Sequence, residues 1–417
     1  MKTIKFKSLG YTKENLQDME NKIQNKPNPN IPTWEDLDLS KYDSVPTLQY
    51  MYEASNGTDY YYSSSTEKGI YHYSTKTKEY TQIYDAGVSW QNFFEDSKGN
   101  VYVSSSDKSN DSKGIIHIKG NIATQIYSLN YYWYVFFEDS KGNIYVSSNG
   151  TPGILHIKDN TVTTIFSTGT NWKYFFEDSK GIIYVSSSSS SSTSAGILHI
   201  NNNIVTKIYD TDYLWYNFFE DSKGNVYVGG GGDGIIHLKD SIATQIYTEE
   251  QWKYFFEDIK GNVYVGGGSY GNGILHLNDT TVTKIYTEKH SWQYFFGDSK
   301  GNVYASNAIN STPIGILHLN GTTVTKIFNE GSCWQYFFED SKGNVYVGSN
   351  DRHNDSSKGI IHLNDTTVTR VLGVGTNWQY FFEDSKGNVY VSTDAYPKKD
   401  SEVLRLVDTT ALKYIFE

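Results

Sequence analysis

The chain has 417 residues, 37% of them hydrophobic and 16% aromatic, which is ample for a large buried core. A formal net charge of −11 with no concentrated basic stretch argues against nucleic acid as a partner, and the single cysteine, Cys333, excludes an internal disulfide. No run of 18 apolar residues occurs, so no membrane span is expected.

The N-terminal Met1–Gly10 stretch lacks an apolar signal region and a cleavage site, which reads as a cytoplasmic protein; a secreted protein with its signal removed is the alternative. Thr3–Lys7 is a candidate extra edge strand. Leu16, Met19 and Ile23 stand at helical spacing, so a short amphipathic helix is expected within Tyr11–Asn25. Lys26–Pro32 holds three prolines and reads as a linker. Residues 1–46 are therefore set apart as an N-terminal extension, and 47–417 as one repeat domain.

From there a heptapeptide Trp-x-x-Phe-Phe-Glu-Asp recurs, first at Trp90–Asp96 and then ending at Asp139, Asp178, Asp221, Asp258, Asp298, Asp340 and Asp384. Leu48–Ala54 is a worn earlier copy, and the last unit is worn as well, with Arg405 in place of the repeated His. One unit divides readily. Trp252–Asp258 is a strand, Ile259–Asn262 a Gly-containing turn, Val263–Val265 a second strand, Ile274–Leu277 a third, and Val282–Tyr286 a fourth. Phe255 and Phe256 point to opposite faces of their strand, so the sheet is apolar on both sides and must be sandwiched between neighbours. Four antiparallel strands per unit of roughly forty residues is the pattern of a β-propeller blade. The expected fold is thus all-β, a β-propeller of four-stranded antiparallel blades, nine in number; eight blades plus an extra unit is the alternative.

The segment Phe-Glu-Asp-Ser-Lys-Gly-Asn-Val-Tyr-Val, followed by Gly-Ile-Ile-His-Leu, resembles the two-component-regulator propeller repeat. In that family an Asp-x-x-Gly-Asn turn precedes an aromatic strand and a Gly-led strand. The resemblance extends over residues 48–416, with Tyr102, Tyr145 and Tyr184 where the family usually has Trp. It implies a sensor or interaction propeller, although no kinase, transmembrane or DNA-binding part follows the repeats.

Length variation between copies is confined almost entirely to the loop between strands two and three, such as Ser104–Lys113, Ser186–Ala195, Gly229–Asp233 and Gly348–Lys358. In an antiparallel blade this loop and the blade-to-blade link emerge at one rim, and the short 1–2 and 3–4 turns at the other. Variable loops on a rigid scaffold are where recognition usually sits. The non-repeated Tyr270, Arg352, His353 and Tyr396 are candidate ligand-binding residues in the loops. Tyr131, Tyr132, Tyr213 and His290 are candidates in the links. Aromatic and Arg side chains on a polar surface are typical of interface hot spots.

Trp90, Trp133, Trp172, Trp215, Trp252, Trp292, Trp334 and Trp378 have two readings. They are a ring of stacking platforms for a flat ligand or, the favoured reading, inter-blade core. The eight repeated His, from His72 to His362, have no metal spacing within a unit; a hydrogen bond to a nearby Asp or backbone group is expected. Each Asp of Asp-Ser-Lys-Gly-Asn should cap its own turn. The Glu-Asp pairs face opposite ways and recur in seven units, so no catalytic site is assigned, and no metal site or cofactor is expected. Gly229–Gly232 is no phosphate loop, because no Gly-Lys-Ser/Thr follows. The expected function is non-enzymatic: a binding or scaffold propeller engaging a protein or glycan through the variable rim. The alternatives are a lectin-like propeller with one site per blade, an axial-channel lyase or hydrolase, and a structural repeat amplified or designed from a consensus.

Overall fold

The computed structural model describes residues 50–414 except 106–113, 130, 132, 149–152, 170, 188–195, 212, 232–233, 249–250, 269–272, 289, 308–314, 332, 350–358, 374–377, 394–402 and 408–409. The expected edge strand, helix and linker of the N-terminal extension lie outside these residues. The described chain forms nine four-stranded antiparallel sheets, each with its strands in sequence order. The fold is that of an all-β, β-propeller-type repeat protein. The sheets are numbered as blades 1–9. Two compact units divide the chain, residues 1–134 and residues 135–417. Among the described residues, no helix is long and apolar enough to cross a membrane.

Blade 4 represents the rest: Trp172–Glu177, Ile183–Ser187, Ile197–Asn201 and Ile204–Tyr209. Its second strand is buried throughout, its third buried up to the last residue, and its fourth largely exposed. The first strand starts on a buried Trp and continues half-buried.

The alternation of side chains explains this profile. In blade 5, Val226 and Val228 face blade 4, in a cluster with Tyr184, Ile197 and Trp215. Tyr227, between them in sequence, faces blade 6, with Trp252, Val263 and Val265. Blades 4–8 thus each contribute half of two cores, and no blade can bury its apolar faces alone. The paired Phe of the first strand follow the same rule. In the second unit the later Phe of one blade stacks on the earlier Phe of the next: Phe137 on Phe175, Phe176 on Phe218, Phe219 on Phe255, Phe256 on Phe295, Phe296 on Phe337 and Phe338 on Phe381. Their ring centroids lie 5.4–6.0 Å apart. Tyr52 stacks on Phe93 in the same way in the first unit, at 5.5 Å.

One boundary differs from the sequence reading. The second strand runs two residues further than expected, through Ser186–Ser187, Gly229–Gly230, Gly266–Gly267 and Gly348–Ser349, all read as loop. The cause is the close approach of the next blade. The first of these two small residues lies against the Trp carbonyl of the neighbour. Ser147 donates its hydroxyl to Trp172 O, Ser186 to Trp215 O and Ser306 to Trp334 O. Where the residue is Gly the backbone comes nearer still, and a Cβ on Gly266 would stand 1.8 Å from Trp292 O. Small residues here signal a paired strand against a neighbour, and not a flexible loop.

Candidate functional site

The eight repeated Trp are 0–1% exposed, so none offers a ring face to a ligand. The last aromatic of the preceding fourth strand packs edge-on against seven of these Trp, as in Phe166–Trp172, Tyr247–Trp252 and Tyr286–Trp292. The indole N–H of Trp172 donates to Thr168 O at 3.2 Å, and that of Trp334 to Glu330 O at 3.1 Å. This is the position that the inter-blade reading calls for, whereas the stacking reading needs an exposed ring face. Cys333, just before Trp334, is buried with a φ of 55°, the left-handed conformation that Ser89 and Asn171 adopt at the same place.

The other candidates divide. Tyr131 (36% exposed) and Tyr213 (44%) present their rings to solvent at the links. His290 is half-buried against Trp292, and burial lowers its pKa more than the nearby Glu288 raises it. Tyr132, Tyr270, Arg352, His353 and Tyr396 lie outside the described residues.

The turn end of the blade is occupied by framework interactions. Asp221 Oδ1 accepts the backbone N–H groups of Lys223 (3.0 Å) and Asn225 (2.8 Å), while Oδ2 accepts Asn225 Nδ2 (2.8 Å). The same set recurs at Asp96, Asp258, Asp298, Asp340 and Asp384. In six blades the Glu before the Asp turns to the preceding blade. Glu177 accepts Ser140 N and Oγ at 2.7 Å, and Glu220 accepts Ser179 N at 2.8 Å and Oγ at 2.6 Å. Glu257, Glu339 and Glu383 take the same bonds from Ser222, Ser299 and Ser341, and in the first unit Glu95 takes them from Ser55.

The repeated His rings lie tilted against the strand-two Tyr, as in Tyr227–His237 at 5.4 Å. The expected Asp lies beside three of them: Asp59 to His72 at 3.0 Å, Asp365 to His318 at 3.5 Å and Asp279 to His237 at 3.8 Å. The turn Asn is a further partner, Asn225 for His237 (3.4 Å), Asn262 for His276 (3.3 Å) and Asn302 for His318 (3.2 Å). Burial lowers the pKa of His117, His156, His199, His237, His276, His318 and His362, outweighing the nearby carboxylates that raise it. No cluster of three or more potential metal ligands occurs among the described residues.

A different surface stands out at the loop end: the two x positions of Trp-x-x-Phe-Phe-Glu. Here the ladder to the second strand slips. In blade 4, Trp172 pairs with Ser187 and Tyr174 with Ser186, leaving Lys173 as an extra residue. The same β-bulge recurs in blades 2 and 5–9. Bulges re-aim side chains and end regular pairing, and they concentrate at functional edges. The bulge lies on the edge strand of each sheet, beside the 2–3 loop. It carries Lys173 and Tyr174, Tyr216 and Asn217, Lys253 and Tyr254, Gln293 and Tyr294, Gln335 and Tyr336, and Gln379 and Tyr380 in successive blades of the second unit. All are half-buried or exposed, while the Trp before them is buried. Neighbouring blades meet through these rings: Tyr174 and Tyr216 are 5.7 Å apart, Lys253 Nζ lies 5.3 Å over Tyr216, and Lys173 Nζ 5.5 Å over Tyr174. Burial pushes the Tyr294 hydroxyl up to about 12, with Cys333, Tyr336 and Tyr254 adding to the shift. The sequence reading passed over these residues. The signal was available as the two positions of the heptapeptide that vary most, Gln, Tyr or Lys at the first and Tyr, Asn or Val at the second.

No protein-family model matches the chain, and no curated protein matches it. Several solved structures are similar in fold. The extracellular domain assigned to the hybrid two component system BT3049 from B. thetaiotaomicron is 14% identical over 85% of this chain and 57% of that one, with a TM-score of 0.32. Virginiamycin B lyase from Staphylococcus aureus is 11% identical over 62% of this chain and 90% of that one, with a TM-score of 0.33. A eukaryotic initiation factor is 10% identical over 90% and 89%, with a TM-score of 0.42. The chain spans less than two thirds of the length of the BT3049 domain, and these likenesses concern fold alone.

Proposed function

We propose that the nine blades form one non-enzymatic binding propeller whose ligand, a glycan or a protein, is held at the loop end by the bulge residues of the first strands together with the links. One observation carries this reading. Within a blade whose core, turns and inter-blade contacts repeat almost unchanged, the most variable positions of the first strand stand on a partly solvent-accessible bulge of an edge strand. Rigid scaffolds diversify where they recognise. The turn end is a poorer candidate, because its carboxylates and Ser hydroxyls are already bonded to one another between blades. A lectin-like site built on the eight Trp is disfavoured by their burial. Catalysis is disfavoured because the repeated Asp, Glu and His all have framework partners or stand in framework positions.

A pair of alanine scans against a ligand captured from a glycan or peptide array tests the reading. Tyr174→Ala, Tyr254→Ala and Tyr294→Ala should weaken binding while leaving the melting temperature nearly unchanged. Lys98→Glu and Lys386→Glu at the turn end should leave binding intact. Binding lost only from the turn end would overturn it.

A further inference from the structure

We infer that the leading face of blade 1 is a docking surface for this chain's own N-terminal extension, residues 1–46, which takes the place of a preceding blade. Blades 4–9 meet their predecessor through a face of aliphatic side chains. In blade 5 these are Val226, Val228, Ile236, Leu238 and Ala243, beside Phe218 of the first strand. The strand registers put Tyr60, Tyr62, Tyr71, Tyr73, Tyr80 and Met51 at the same six positions of blade 1. Five aliphatic positions are thus five tyrosines. Tyr71 stacks on Tyr80 at 5.5 Å, while Tyr60–Tyr73 and Tyr62–Tyr80 lie 6.5 and 6.2 Å apart. A surface fitted to Val, Ile and Ala has no room for that added volume. The opposite face of blade 1 keeps the repeat's arrangement, with Tyr61 and Ile70 packed with Trp90 and Val103 of blade 2. The departure is confined to the face turned away from blade 2.

That face is covered. Tyr60 and Tyr62 are 2% and 3% exposed, as deeply buried as Val226 and Val228 are beneath blade 4, although residues 1–46 carry no copy of the repeat. Burial, then the hydrogen bond from Tyr60 to Glu53 Oε1 at 3.1 Å, pushes the Tyr60 hydroxyl up to about 12. The cover is not a blade of the regular kind. Such a blade would set the later Phe of its first strand on the Met51 position, and Met51 is 57% exposed. A cover that reaches the second strand and leaves the first strand open has the footprint of a narrow segment. One lies next to the face: residues 1–49 lead directly into Tyr50, where the first strand of blade 1 begins. Four strands about 4.8 Å apart make a face about 15 Å wide, which about ten residues of helix or five of extended chain cross. The extension has apolar side chains to lay on it, Leu16, Met19 and Ile23 at helical spacing, and Trp34, Leu37 and Leu39 further on. Stacked repeats need a cap of this kind where the array starts, because a bare apolar face invites association. The capping face and the bulge face are separate surfaces, so either can stand without the other.

Nitration of the full chain with tetranitromethane, mapped by peptide mass, tests this. Tyr60 and Tyr62 should react slowly, and the exposed Tyr131 and Tyr213 fast. Two triple variants, one with Leu16, Met19 and Ile23 and one with Trp34, Leu37 and Leu39 all changed to Ser, disturb the cap in the intact chain. At least one should speed the nitration of Tyr60 and Tyr62 about tenfold, the mark of a local opening. Tyr61, on the opposite face of the same strand, should stay protected and so report that blade 1 remains folded. A chain lacking residues 2–46 should show the larger effect. Tyr60 and Tyr62 as reactive as Tyr131 in the full chain would mean an open face and overturn the inference. Protection lost on dilution, with a dimer dissociating in sedimentation, would seat a second copy there instead. If no variant exposes Tyr60 and Tyr62 selectively over Tyr61, the cover is not the extension.

Discussion

The two ends of a blade solve different problems with the same strands. At the turn end most repeated residues are bound to a partner: Asp to its own turn, Glu to the Ser of the preceding blade, and three of the Lys to the next turn's carbonyl, as in Lys300 Nζ to Gly343 O at 2.9 Å. Variation there breaks two blades at once, so the sequence repeats. At the loop end the buried Trp fixes the blade and a bulge then leaves the next residue out of the ladder. The two positions after the Trp vary more than the rest of the first strand because their side chains stay partly open to solvent. The contrast teaches that repeat identity in this chain marks inter-blade contact, and that exposed variability marks the surface left free for recognition.

The largest effect expected from this contrast is at the start of the bulge itself. Trp252→Ala should cost about 3–5 kcal/mol, the range for removing a fully buried large aromatic, whereas Tyr254→Ala, two residues on and half-buried, should cost much less. Chemical denaturation of both variants checks the difference, and equal losses would mean that the bulge residues belong to the core. Gly266→Val should also be severe, because its Cβ would meet Trp292 O.

A pH titration of stability comes next. The seven repeated His with lowered pKa are neutral in both folded and unfolded chains above their ordinary value of about 6.5. As pH falls through that value the unfolded chain takes up protons first, so the folded state loses stability. The melting temperature should therefore drop between pH 7.5 and 5.5, and less so in a variant with His237→Gln and His276→Gln. Asp384 adds a second, lower window. Its pKa is held down to about 2, chiefly by the hydrogen bond from the Asn388 side chain. Its contribution is present above the ordinary carboxylate value near 3.9 and is lost as pH falls towards 2. A melting temperature that is flat from pH 7.5 to 5.5 would mean that the His are not held neutral by burial.

Much of this was legible in the sequence, and the reason is physical. A blade's strands, turns and two-faced core are set by alternation and by Gly, Asn and Asp at the turns, all of which are local signals. Trp252–Glu257 and Ile274–Asn278 lie where the repeat places them. What was not legible depends on contacts between units. The extension of the second strand through Gly266–Gly267 follows from the neighbour's Trp carbonyl. The bulge at Lys253 follows from the same approach, and no residue type announces it. The pairing of Glu257 with Ser222 joins residues 35 apart through a contact that only stacking creates.

The smallest expected effect is also the sharpest test of the turn end. One inter-blade junction in the second unit lacks the Ser–Glu contact, and both halves of it are changed. Blade 6 has Ile259 where other blades have Ser, and blade 7 has Gly297 where they have Glu. Ile259 is 69% exposed, and its side chain lies 3.3 Å from where a Cβ on Gly301 would stand. A Ser without its Glu, or a Glu without its Ser, would leave a polar group facing an apolar neighbour, so loss of one partner removes the reason to keep the other. Restoring both, with Ile259→Ser and Gly297→Glu, should therefore be non-additive. Gly297→Glu alone meets Phe256 Cζ at 3.0 Å from its new Cβ and can accept the backbone N–H of Ile259, but no hydroxyl. Ile259→Ser alone gains no partner. Together they should recover a coupling of about 0.5–1 kcal/mol, the scale of an exposed charged contact measured by double-mutant cycle. Strict additivity of the two substitutions in denaturant unfolding would show that the repeated Ser–Glu contacts contribute nothing to holding neighbouring blades together.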